Sequence, residues 1–178
     1  MKLKERIFNH YLAKQPQRVA HFPHYEKPLK VLLIYESDLL EHNDAIKTIR
    51  QDMVHRQLDT TMWGFAAKKE IQSPILPQNR ILGYKDYGFF GKPHQHILDE
   101  LQKDHYDVLI DLTTQPCLPL RYIAMYANAD FKIGLHLGEG VHDMLIAPPG
   151  LDTAQAKPEA SWLFHQIMQY VTTIKSND

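Results

Sequence analysis

The 178-residue chain contains one cysteine, Cys117. A lone thiol excludes an internal disulfide and any Cys-x-x-Cys redox or zinc pair, and it fits a reducing compartment. Apolar runs of membrane-spanning length are also missing; Val31–Tyr35 is only a strand's worth. The amino-terminal residues are charged and lack the continuous apolar stretch of a secretory signal. Neither charge sign dominates, with 20 Lys/Arg against 21 Asp/Glu and a formal net charge of −1. That balance argues against global attraction to nucleic acid. Internal repeats and low-complexity tracts are absent. These absences lead us to expect a soluble, cytoplasmic protein with no membrane span and no nucleic-acid partner.

What charge there is lies unevenly. Residues 1–30 carry seven Lys/Arg against Glu5 and Glu26, leaving that segment at +5 and the remainder at −6. Leu3, Ile7 and Tyr11 recur at helical spacing, which predicts an amphipathic basic helix over residues 2–15 ending before Pro16. A connector follows to residue 28. We therefore expect residues 1–28 to form a helix and connector, and 29–178 a single domain of a size able to bury a core.

Beyond residue 29, apolar strands alternate with helical patterns. Val31–Tyr35 reads as a strand buried on both faces. Asp38 is placed to cap a helix running to Gln57, with Leu39, Ile46, Ile49 and Met53 inward. Thr60–Phe65 and Arg80–Tyr84 read as further strands, separated by an irregular crossover at 67–79. Gly91-Lys-Pro93 is read as opening a helix that buries Ile97, Leu98 and Leu101, with proline in its first turn. Val108–Leu112 is the strongest strand and Pro119 opens the next helix. Phe131–Gly134 and Met144–Ile146 are the last strands, and a terminal helix carries Leu163, Ile167, Tyr170/Val171 and Ile174 inward. This alternation predicts a three-layer, Rossmann-like α/β fold with a mostly parallel sheet ordered 3-2-1-4-5, an added edge strand, and an extra N-terminal helix.

Parallel sheets place ligands outside the carboxyl ends of their strands. Asp111 ends the strongest strand beside Thr113 and Thr114, where a carboxylate and hydroxyls can hydrogen-bond a sugar or amide. The competing reading is that Asp111 accepts backbone N–H bonds and fixes its own loop. Both stand open. Gly134–Gly140 is the only glycine-rich loop, so Gly138 and Gly140 are candidate contacts, although a turn between strands explains the loop equally well. Lys92 is a candidate for steadying an anion. Phe89 and Phe90 in the same stretch could stack a base, but the expectation is that they anchor a crossover in the core.

Other signals point away from familiar chemistry. The first strand–helix turn reads Tyr35-Glu-Ser-Asp38, without the glycines that let backbone approach a pyrophosphate and with acids that would repel one. Cys117 lies near a helix N-terminus, where a thiol pKa can fall, and His136 could approach it; a small buried apolar role is expected instead. His94 and His96 are two apart, which would splay them if both were helical. His21/His24 and His142-Asp143 match no zinc signature either. We expect no metal, no cofactor and no assigned catalytic residue. The helix after Pro119 is apolar nearly all round, so it needs a neighbour on both sides: the terminal helices, or a second subunit in a homodimer.

Two resemblances follow from these residues. Gly91-Lys-Pro93, Tyr106-Asp-Val-Leu-Ile-Asp-Leu112, Pro119-Leu-Arg-Tyr-Ile-Ala124, Ala129-Asp-Phe-Lys-Ile-Gly134 and Asp143-Met-Leu-Ile146 resemble a family of small bacterial proteins that is a domain of unknown function. Residues 30–138 are more loosely similar to the N-terminal half of heptosyltransferase-type glycosyltransferases of the GT-B fold. That resemblance implies a half that faces the acceptor; the Gly-Asp pair usual after its first strand is replaced here by Glu36-Ser-Asp38. The combined expectation is a non-enzymatic binding or interaction module, with a small polar ligand as one partner. The alternative is a transferase or hydrolase acting on a sugar or nucleotide, with Asp111 as general base. A third class works through residues 2–18 on lipid or RNA.

Overall fold

The computed structural model describes residues 2–22, 29–37, 44–67, 79–137, 140–147 and 158–173. Six strands, β1 (Lys30–Glu36), β2 (Asp59–Phe65), β3 (Asn79–Leu82), β4 (Tyr106–Asp111), β5 (Ala129–Leu135) and β6 (Met144–Ile146), form one sheet in the order β3-β2-β1-β4-β5-β6. Every pairing is parallel. This is the expected order with the edge strand added, and it is consistent with a Rossmann-like fold.

The sheet is buried on both faces because its central strands carry unbroken apolar runs, Val31–Tyr35 in β1 and Val108–Ile110 in β4. Leu32 and Ile34 of β1 face one layer; Val31, Leu33 and Tyr35 face the other. The first layer holds α1 (Lys2–Leu12), α3 (Gln95–Gln102) and α4 (Leu118–Tyr126), and the second holds α2 (Asp44–His55) and α5 (Ala160–Thr173). α2 buries Ile46, Ile49 and Met53 as its spacing requires. α5 buries Leu163, Phe164, Ile167, Met168 and Val171, while Tyr170 is 44% exposed. Asp38, Leu39 and Ile174 lie outside the described residues.

Three local expectations are corrected. α1 buries Phe8 completely and leaves Leu3 61% exposed. Its contact face is set by the aromatic side chain, which meets Tyr122 edge-on with ring centroids 4.9 Å apart. The Arg121 guanidinium covers Phe8 at 4.3 Å and is bonded to Glu5 at 2.8 Å. The neighbour that α4 requires is thus α1. Second, Pro93 precedes α3 and bridges to Tyr87; the helix begins after His94, whose extended backbone makes it the N-cap. Since His94 is not helical, its ring stacks near His96 at 6.1 Å instead of splaying away. Third, Phe89 and Phe90 are 82% and 39% exposed, and the buried anchor of that loop is Tyr87.

Candidate functional site

β4 delivers Asp111 to the carboxyl end of the sheet on the α4 side, beside Ile34 of β1 and Gly134 of β5. The carboxylate is buried. Its Oδ1 accepts the Thr113 backbone N–H at 2.9 Å and the Thr113 hydroxyl. Its Oδ2 lies 3.0 Å from His142 Nε2. The loop-fixing role is therefore present, and the same carboxylate orients a histidine whose side chain is 8% exposed. Gly134 makes room for this pair: a Cβ there would sit 2.8 Å from His142 Nε2 and 3.0 Å from Asp111 Cβ.

The crevice lined by Asp111, Thr113, Cys117, Arg121 and His142 is narrow, about 10 Å³. Thr114 beside it is half-buried. Cys117 caps α4, but desolvation pushes its thiol up to about 12, so burial outweighs the helix terminus. His136 is exposed, and the histidine that enters the crevice is His142.

Lys92 is not brought to Asp111. Its ammonium lies 4.5 Å from the Tyr11 ring centroid and 5.6 Å from that of Tyr126, joining α1 to α4 by cation–π contact. Gly140 has φ +95, and a Cβ there would meet Leu12 Cδ2 at 2.8 Å. The left-handed backbone favours glycine there, and the tip of the Leu12 side chain packs into the space a Cβ would take. Gly138 lies outside the described residues. The connection that holds both glycines joins two parallel strands.

The larger cavity lies beside β5, not outside the strand ends. β6 pairs only with Ile133–Leu135. The remaining edge of β5 is covered by the connector and by Asp143: His21 N–H donates to Asp130 O at 3.1 Å, and Arg18 Nη1 donates to the Ala129 and Asp130 carbonyls at 2.9 and 2.6 Å. Arg18 Nη2 pairs with Asp143, whose carboxylate also accepts Lys132 N–H at 2.7 Å. Between this strap and the end of α4 opens a cleft of about 720 Å³, lined in part by Gln15, Gln17, Arg18, Gln102, Tyr126, Asn128, Lys132 and His142.

Lys132 is the residue that pattern reading missed. It alternates with Phe131 and Ile133, so its side chain points into the α4 layer, where it is 4% exposed. Its ammonium donates to the Ala124 and Met125 carbonyls at 2.6 and 3.3 Å, satisfying the end of α4. Burial lowers its pKa from 10.5 to about 8; Arg18 pushes the same way and Asp143 opposes. The signal was available, because a lysine inside an apolar strand must find partners.

Among the described residues, no group of three or more His, Cys, Asp or Glu is placed to hold a metal ion. No helix among them is long and apolar enough to cross a membrane.

A parallel α/β sheet with a cleft of mixed polar and apolar lining beside β5 defines the class of the molecule. The chain belongs to the family of unknown function DUF6913, whose profile matches residues 1–164. No curated protein and no solved structure matches the chain.

Proposed function

We propose that this protein is a binding module for a small, uncharged polar ligand held in the cleft beside β5, acting in the bacterial cytoplasm. The observation that carries the reading is the cleft itself. Its volume of about 720 Å³ lies within the range typical of small-molecule sites, roughly 300–1,000 Å³. Its charges are already engaged, Arg18 with Asp143 and Lys132 with two helix carbonyls. The uncharged polar groups that remain are Gln17, Gln102, Asn128 and Tyr126, set among apolar Leu12, Pro16, Met125 and Val141. Such a lining suits hydroxyls, amides or a nucleobase better than a phosphate, which would have to break an existing ion pair.

A thermal-shift screen of neutral sugars, nucleosides and amides beside their phosphorylated counterparts tests this. A ligand at about 100 times its Kd stabilises the fold by about 2.7 kcal/mol, enough to read as several degrees. Neutral compounds should shift the transition, and a Gln102→Ala/Asn128→Ala variant should lose the shift. Stabilisation by phosphates alone, or by nothing, would remove the proposal.

An enzymatic reading is favoured by one observation, the Asp111–His142 pair. A buried carboxylate bonded to one ring nitrogen orients a histidine as a general base, and His142 lines both the narrow crevice and the cleft. Hydrolysis or transfer of a cleft ligand that is lost in His142→Gln while binding persists would establish it. A homodimer through α4 loses its motive, since α1 covers the face that called for a second copy.

A further inference from the structure

The turn between Tyr87 and Pro93 holds two phenyl rings outward. Gly88 N–H donates to Lys92 O at 2.9 Å and Gly91 N–H to Gly88 O at 2.9 Å, while buried Tyr87 and its bridge to Pro93 anchor the base. At the tip, Phe89 is 82% exposed and Phe90 39%, packed edge-to-face with centroids 5.2 Å apart. The backbone bonds fix this display, so the rings are not free to fold back onto the core.

A cation lies against the pair. Lys4 of α1 lies 5.3 Å from the Phe89 centroid, its neighbour Leu3 is 61% exposed, and Arg6 and Lys85 are exposed as well. The acids nearby in sequence are turned to other partners: Glu5 binds Arg121 at 2.8 Å, and Asp86 accepts Gly83 N–H at 2.7 Å. Exposed phenyl rings with a lysine over one of them, and further exposed cations on the adjoining segments, match a surface that is anionic at its boundary and apolar beneath. Single-stranded nucleic acid matches less well, because Lys4 Nζ already lies over the Phe89 ring, where a base would have to stack.

We propose that the Lys4 end of α1 and the Phe89–Phe90 turn form a docking surface for an anionic lipid bilayer. The rings enter the headgroup boundary, and Lys4, Arg6 and Lys85 meet the lipid phosphates. The site is separate from the cleft beside β5, and either assignment can fail alone.

Flotation of the full chain with vesicles tests it, comparing phosphatidylcholine alone with phosphatidylcholine mixed with phosphatidylglycerol. The expected result is binding to the anionic vesicles only, weakening as salt is raised. Phe89→Ser/Phe90→Ser should reduce partitioning by about tenfold or more, given the apolar area withdrawn from water. Lys4→Glu should reduce it too. Both variants alter exposed side chains, and circular dichroism confirms their fold. Failure to bind anionic vesicles at low salt would overturn the proposal, as would binding unchanged by the serine pair. Sedimentation showing a dimer that the serine pair dissociates would reassign the patch to self-contact. Tighter, Phe89-dependent binding of single-stranded RNA would reassign it to nucleic acid.

Discussion

His142 Nε2 lies 3.0 Å from Asp111 Oδ2, joining the carboxyl end of β4 to the segment that leads into β6. The two side chains meet across Gly134, the one position between them that must carry no side chain. Asp111 thereby holds three donors: the Thr113 N–H, the Thr113 hydroxyl and the histidine. A pairing built from three separate stretches of chain is sensitive to the space it occupies.

Gly134→Ala should break it. The new methyl would lie 2.8 Å from His142 Nε2, so the imidazole must leave and Asp111 loses one buried partner. The expected cost is about 1–3 kcal/mol. Urea unfolding gives the stability, and the His142 imidazole resonances report the lost bond. An alanine variant as stable as the wild type, with those resonances unmoved, would contradict the geometry.

Lys132 predicts an unusual alkaline profile. In the folded chain its proton is released near 8, against 10.5 for the ordinary side chain. Below that range both states are charged, and the folded state bears the whole cost of burial. Between the two values the unfolded state binds the extra proton, so the contribution of Lys132 to stability rises with pH. Cys117, raised from 9.0 to about 12, and Tyr35, raised from 10.0 to about 12, act oppositely above 9 and 10 respectively. Comparison with Lys132→Met cancels those shared groups. Between pH 8 and 10 the wild type should gain about 2–3 kcal/mol on the variant. A difference that stays flat across that window would show that the amine titrates normally.

Cys117 should be inert in the native protein. With its thiol pushed up from 9.0 to about 12, the thiolate fraction at neutral pH falls by about a thousandfold. Alkylation by iodoacetamide should be correspondingly slow and should become fast in denaturant. Rapid native labelling would mean that the crevice opens far more than its burial implies.

The seating of α1 is tested by two alanines. Phe8→Ala removes a fully buried ring that contacts Tyr122 and Arg121, and should cost about 3–5 kcal/mol. Leu3→Ala removes an exposed side chain and should fall within about 0.5 kcal/mol of the wild type. Equal effects in chemical denaturation would place the helix on a different face.

Some of the candidate site was legible in the chain. The strand ending at Asp111 and the polar loop through Thr113 could be found from an apolar run followed by polar residues. Lys92, a candidate for steadying an anion, is held in the fold by Tyr11 and Tyr126, far away in sequence. Arg18 and Asp143 are 125 residues apart, and no local pattern links them. Phe89 and Phe90 were expected inside because aromatic residues usually bury large areas. Their turn is closed by its own backbone bonds, which leave the rings outside.

The alternation of apolar strands with amphipathic helices, by itself, determined the parallel sheet and its order. Strand and helix periodicities are local, and right-handed crossovers leave few topologies. Tertiary structure alone decided the rest: that α1 covers α4, that a six-strand sheet ending in the short β6 leaves half of β5 for a strap, and that Lys132 and His142 face one cleft. Those outcomes depend on which distant surfaces fit together, and shape complementarity between remote segments is not written in the spacing of either one.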